Sequence, residues 1–234
     1  MPDTVLELRG LNGWYGESHV LHGVDLELRR GESLALLGRN GAGKTSILRA
    51  ITGVMRKRRG SVRLGGQETV GLEPWRIARM GLAYVPEERG IFASLTVDEN
   101  LRLPPVLSEG GMSIDEIHTL FPNLAERRSS PGTRLSGGEQ QMLAIARVLR
   151  SGSKTLLLDE PTEGLAPVIV DRIGEVIQLL RTRGYSILLV EQNLAFARAA
   201  ADRCAVIEHG QVVDLFAAAD FETHRATLQH RLGV

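Results

Sequence analysis

Residues 38–45 read Gly-Arg-Asn-Gly-Ala-Gly-Lys-Thr and fit the spacing G-x-x-x-x-G-K-[ST]. That pattern suits one task, holding a chain of phosphates. Glycines at 38, 41 and 43 let the backbone turn its N–H groups inward around phosphate oxygens, and Asn40 and Ser46 lie on the same arc. Lys44 brings a point charge to the β- and γ-phosphates, and the Thr45 hydroxyl suits Mg²⁺. A helix starting at Lys44 adds positive potential at its N-terminus. The apolar run Leu34-Ala35-Leu36-Leu37 predicts a buried strand ahead of the loop, which is the context this motif requires. A dinucleotide-binding loop fits less well, because G-x-G-x-x-G is missing and residues 61–65 hold no acid for a ribose. A glycine-rich turn without chemistry is the plain alternative.

A second segment, Thr155-Leu156-Leu157-Leu158-Asp159-Glu160, is an apolar strand ending in two carboxylates. Asp159 suits Mg²⁺ positioning and Glu160 the activation of an attacking water, although acids often end strands without such a role. A third segment, Leu135-Ser136-Gly137-Gly138-Glu139-Gln140-Gln141, reads as a helix start with a Ser cap and two glycines. Its free N–H groups suit an anion; taken alone it is also an ordinary capped helix.

The three segments in this order resemble the ATP-binding-cassette ATPases, and the resemblance covers almost the whole chain. Several roles follow from it alone. Tyr15, in Trp14-Tyr15-Gly16, matches the aromatic that stacks on adenine. Ser136, Gly137, Gly138 and Glu139 match the signature that grips the nucleotide of a facing chain. Tyr84-Val85-Pro86-Glu87 falls at the loop that senses the membrane partner, and Glu87 joins Thr45 and Asp159 in the metal set. Gln192, in Val190-Glu191-Gln192-Asn193, falls at the switch after the last catalytic strand and stands with Glu160 as a catalytic candidate.

Three positions depart from the general pattern: Glu87 where Gln is usual, Gln192 where His is usual, and Ala166 where Asp is usual. These departures resemble the LivF-type ATPases of branched-chain amino-acid importers, with urea and short-chain amide importer ATPases close behind. The resemblance implies ATP and Mg²⁺ as cofactors and membrane permease subunits as partners. It also implies a second cassette chain or another copy of this one, an indirect link to a periplasmic or extracellular binding protein, and a place on the inner face of the cell membrane. Other readings from the residues are a soluble non-transport cassette ATPase, a P-loop kinase or GTPase, and a cassette that binds ATP without turning it over.

These residues need a frame to hold them. The chain has 234 residues, with 43% hydrophobic and 24% charged, enough for a sizeable core and unlike a disordered chain. Lys+Arg and Asp+Glu are 28 each, so no broad basic field points to nucleic acid. A single cysteine, Cys204, rules out an internal disulfide framework and reads as a packed residue. No apolar run approaches the ~20 residues of a membrane span, and no signal peptide is evident at the N-terminus, so a cytoplasmic chain is expected.

Short β-rich runs alternate with helical patterns. Strands are expected at 5–8, 25–28, 33–37, 61–64, 82–85, 155–158, 187–190, 205–208 and 211–214, with a hairpin turn at 208–211. Helices are expected from Lys44 to Thr52, after capping boxes at Thr96, Ser113 and Ser136, and from Ala166-Pro167 to Gly184. Residues 90–150 hold helical signals and no strand. These runs point to an α/β fold with a mostly parallel sheet and a helical insertion, and the resemblance implies a P-loop NTPase (RecA-like) core with an N-terminal antiparallel β subdomain and an inserted α-helical subdomain. All of 1–234 forms one ATPase domain, with 1–89 and 151–234 as core and β subdomain and 90–150 as the helical part. His19 and His22 are expected in a surface loop, and Arg56-Lys57-Arg58-Arg59 as a solvated loop that could also touch lipid heads or a partner.

Overall fold

The computed structural model describes residues 3–232. The first third of the chain forms β1 (Thr4–Tyr15), β2 (Ser18–Arg29), β3 (Ser33–Leu37), α1 (Lys44–Ile51), β4 (Lys57–Leu64), β5 (Gln67–Glu68), α2 (Pro74–Arg79) and β6 (Leu82–Val85). A helical stretch follows: α3 (Val97–Arg102), α4 (Ile114–Leu120), α5 (Pro122–Glu126) and α6 (Gly137–Leu149). The chain returns through β7 (Thr155–Asp159), α7 (Pro167–Thr182), β8 (Ser186–Glu191), α8 (Leu194–Ala200), β9 (Arg203–Glu208), β10 (Gln211–Ala217) and α9 (Phe221–Leu232).

Two sheets result. β2-β1-β4-β5 is antiparallel; β10-β9-β3-β8-β7-β6 is parallel except for its edge pair β10–β9. Every residue of β3, β7 and β8 is buried, which is why these strands are continuous apolar runs instead of alternating ones. One core lies between the two sheets and takes in Ile47, Leu48 and Ile51 of α1; a second joins the other face of the parallel sheet to α6 and α7. Although α3 to α6 separate them in the chain, β6 and β7 are direct neighbours in register, Tyr84 beside Leu157. Among the described residues no helix is long and apolar enough to cross a membrane.

The helix ends obey local chemistry. Thr96, Ser113 and Ser136 each accept from the backbone N–H three residues on, and Glu99, Glu116 and Glu139 reach back to the cap's own N–H. Pro167 opens α7, and Gly184, at φ +77°, follows its end.

Several expectations are corrected. β1 and β2 run 12 residues each, not four, because register shifts absorb the glycines that break their alternation. The basic run is not a solvated loop: its last three residues open β4, and Arg58, only 9% exposed, donates to the carbonyls of Ala50 and Thr69. His19 and His22 stand on β2, where the His19 ring stacks on Trp14 at 4.3 Å. Cys204 is fully buried, and that burial pushes its thiol up to about 12. Elements α2, α5, α8, α9 and β5 carry no expectation from the sequence.

Candidate functional site

β3 ends at Leu37, and the glycine loop follows it into α1. Gly43 caps that helix at φ +109°, a conformation that an L side chain resists. The loop is braced from behind by the turn between β9 and β10. Gly210 donates from its N–H to the Ala42 carbonyl at 2.8 Å, and its own carbonyl accepts from His22 N–H at 2.9 Å. A Cβ on Gly210 would lie 2.0 Å from the Val20 carbonyl oxygen, so the wedge between β2 and the phosphate loop has room for glycine alone.

Lys44 is the first residue of α1 and its side chain is 4% exposed. Its Nζ donates to the carbonyls of Gly38 at 2.7 Å and Arg39 at 3.2 Å, and lies 3.4 Å from Oε1 of Glu160. The other Glu160 oxygen accepts from Nε2 of Gln192 at 2.7 Å. Glu160 reaches this position because its backbone, just past β7, takes the left-handed φ of +46°, pinned by its N–H to the Val190 carbonyl at 3.0 Å. Glu191 anchors the segment after β8 from below: its buried carboxylate accepts from the Thr162 hydroxyl at 2.7 Å and from the backbone N–H groups of Gln192 and Asn193. Burial raises Glu191 above the usual carboxylate range against the pull of those bonds.

Asp159, 1% exposed at the end of β7, accepts from Thr45 Oγ1 at 3.1 Å on one oxygen and from the Tyr84 hydroxyl at 2.9 Å on the other. Burial raises Asp159 above its ordinary value, with both hydroxyls opposing the shift. Burial, then the Asp159 charge, raises Tyr84. A cavity of about 360 Å³ in front of the loop is lined by Val20, Asn40, Gly41, Gly43, Lys44, Thr45, Ser46, Glu87, Glu160 and Glu163. Glu163 is held above the usual range by a hydrogen bond with Glu160 and then by burial.

The structure thus gathers Asn40, Gly41, Gly43, Lys44, Thr45, Ser46, Glu87 and Glu160 around one cavity, with Gly38, Asp159 and Gln192 directly behind. Tyr15 does not line it; Tyr15 sits at the end of β1, 42% exposed, and Val20 of β2 lines the cavity instead. Ser136, Gly137, Gly138 and Glu139 are also elsewhere, at the start of α6, where Ser136 is exposed and Gly138 packs on Ile169. Tyr84, Glu163 and Glu191 are site neighbours that the sequence reading assigns no role. Tyr84 and Glu191 were signalled only by polar atoms on strands that are otherwise apolar.

Hard oxygen donors stand where a divalent cation on a polyphosphate would need them, at Thr45 and Asp159. Among the described residues there is no cage of three or more His, Cys, Asp or Glu side chains.

The family profile described as "ABC transporter" matches residues 21–163. The chain is 43% identical over 212 residues to the high-affinity branched-chain amino acid transport ATP-binding protein BraG of Pseudomonas aeruginosa, covering 89% of this chain and 91% of that one. It is 37% identical over 209 residues to the "Probable branched-chain amino acid transport ATP-binding protein LivF" of Archaeoglobus fulgidus, covering 86% and 87%. A solved structure titled "Structure of ATP binding subunit of ABC transporter" superposes with a TM-score of 0.80 at 31% identity, covering 95% of this chain and 94% of the other. Likeness at this level, over nearly the full length of chain and relatives alike, shows that the protein belongs to the ABC transporter family as an ATP-binding cassette, and hydrolysis of ATP is the activity of that family.

Proposed function

We propose that the chain is the ATP-hydrolysing subunit of an importer for branched-chain or other hydrophobic amino acids. The observation that carries this is the Lys44–Glu160–Gln192 cluster set against the Thr45–Asp159 pair, in a chain 43% identical to BraG. The loop N–H groups and Lys44 bind the phosphates, and the Lys44 contacts to Gly38 and Arg39 preform its direction. Thr45 and Asp159 hold Mg²⁺, with Glu87 beside them in the cavity. The cation supplies charge neutralisation for the phosphates. Glu160 takes a proton from the attacking water, and the Gln192 amide keeps its carboxylate turned to the cavity.

The exposed Ser136 turn supports a head-to-tail pairing with a second cassette, this chain or a related one, so that each nucleotide is received from both sides. Nucleotide favours the closed pair, and hydrolysis releases it. A groove of about 620 Å³ between α2, β6 and α6, lined by Trp75, Ile77, Tyr84, Pro86 and Ala144 among others, supports docking of a permease segment at the inner face of the membrane. The whole chain acts as one ATPase domain, with 90–150 as its helical lever.

Turnover and uptake test the reading together. Glu160→Gln is expected to keep ATP binding and to lose about a hundredfold or more in turnover, and deletion of the gene is expected to abolish uptake of labelled leucine. Near-normal turnover removes Glu160 from the role of base; retained leucine uptake with lost urea or amide uptake moves the solute to that class.

A further inference from the structure

We propose that Tyr84 is a positioning residue for the metal carboxylate. Its hydroxyl holds one oxygen of Asp159 so that the other stays with Thr45, facing the nucleotide. This rests on the nucleotide reading above and assigns a task to a side chain outside it.

The geometry is specific. Tyr84 and Asp159 lie on adjacent parallel strands, and the register sets Tyr84 beside Leu157, two residues before Asp159 and so on the same face. The hydroxyl donates to Oδ2 at 2.9 Å while Thr45 Oγ1 donates to Oδ1 at 3.1 Å, so each carboxylate oxygen has one donor. Asp159 is 1% exposed, which leaves it little water to fix its orientation. A carboxylate rotates about its last bond unless something holds it, and groups bonded to a metal ligand set both its angle and its affinity. Tyr84 itself is half-buried and stands on β6, after which the chain runs through Pro86 to Glu87 in the cavity. Phenylalanine at 84 would keep the ring and remove only the hydroxyl.

The test uses Tyr84→Phe in the full chain, with Mn²⁺ as probe. Mn²⁺ affinity in the presence of ADP is read by electron paramagnetic resonance, and ADP affinity in EDTA is read by calorimetry. We expect Mn²⁺ affinity to fall about tenfold, the cost typical of losing a group that orients a metal ligand. The Mg²⁺ concentration for half-maximal ATPase is expected to rise in step, with ADP affinity in EDTA within twofold of the parent chain. Unchanged Mn²⁺ affinity overturns the proposal. So does an equal fall in ADP affinity in EDTA, which marks a damaged fold. If the parent chain itself shows no Mn²⁺ bound with ADP, the nucleotide reading fails first and the proposal falls with it.

Discussion

Gln192 gives the sharpest case at the level of single side chains. An amide at 192 cannot become cationic, whereas a histidine does so near neutral pH. Gln192 touches a carboxylate oxygen of Glu160 at 2.7 Å, so an imidazole placed there faces the same negative charge. The cationic form of that imidazole would be favoured, and it would be lost as pH rises through its pKa. Gln192→His is expected to add a limb to the ATPase profile between about pH 6 and 7.5 that the parent chain lacks. Superimposable profiles from stopped-time phosphate assays would defeat this. The glycine loop and the acid pair could be picked out of the sequence because each is a run of consecutive residues, and the structure brings the two together. Tyr84 could not: its partner is 75 residues away, and nothing local says that β6 lies beside β7.

Strands and helices were recovered where burial is one-sided or complete and lost where glycine or polarity blurs the pattern. The three capping boxes placed α3, α4 and α6 because each is a closed set of hydrogen bonds within four residues. The last helix, α9, buries only Phe221 and Leu228 and has no apolar stripe to read. The basic run misled because a charged letter reads as solvent, while Arg58 is paid for by two backbone carbonyls. The turn at Gly210 shows how one element positions another. It sits at φ +73°, bonded to both β2 and the phosphate loop. Gly210→Ala adds the strain of that φ to a backbone clash, about 2–4 kcal/mol in sum. A melting temperature lowered by about 4–16 °C is the expected result, with weaker ADP binding because Ala42 moves. A melt like the parent's would show that the wedge yields.

At the level of the whole molecule, 28 basic and 28 acidic residues balance, so no net charge drives or opposes the meeting of two copies. The pairing proposed above, through the nucleotide and the Ser136 turn, can be tested directly. Glu160→Gln with ATP and Mg²⁺ is expected to sediment as a dimer, and as a monomer without nucleotide; adding Ser136→Glu, which puts a negative charge against phosphate, is expected to abolish the dimer. A dimer indifferent to both changes would place the interface elsewhere. The strand order β10-β9-β3-β8-β7-β6 carries one more consequence. The strand that launches the phosphate loop is flanked by two that come from the far end of the chain, with Leu34 beside both Leu188 and Arg203, and Ser33 N–H held by the Asp202 carboxylate at 2.9 Å. During translation, therefore, a nascent chain carries the glycine loop long before it owns the walls that shape it, and the ribosome must pass residue 208 before both strands beside β3 exist.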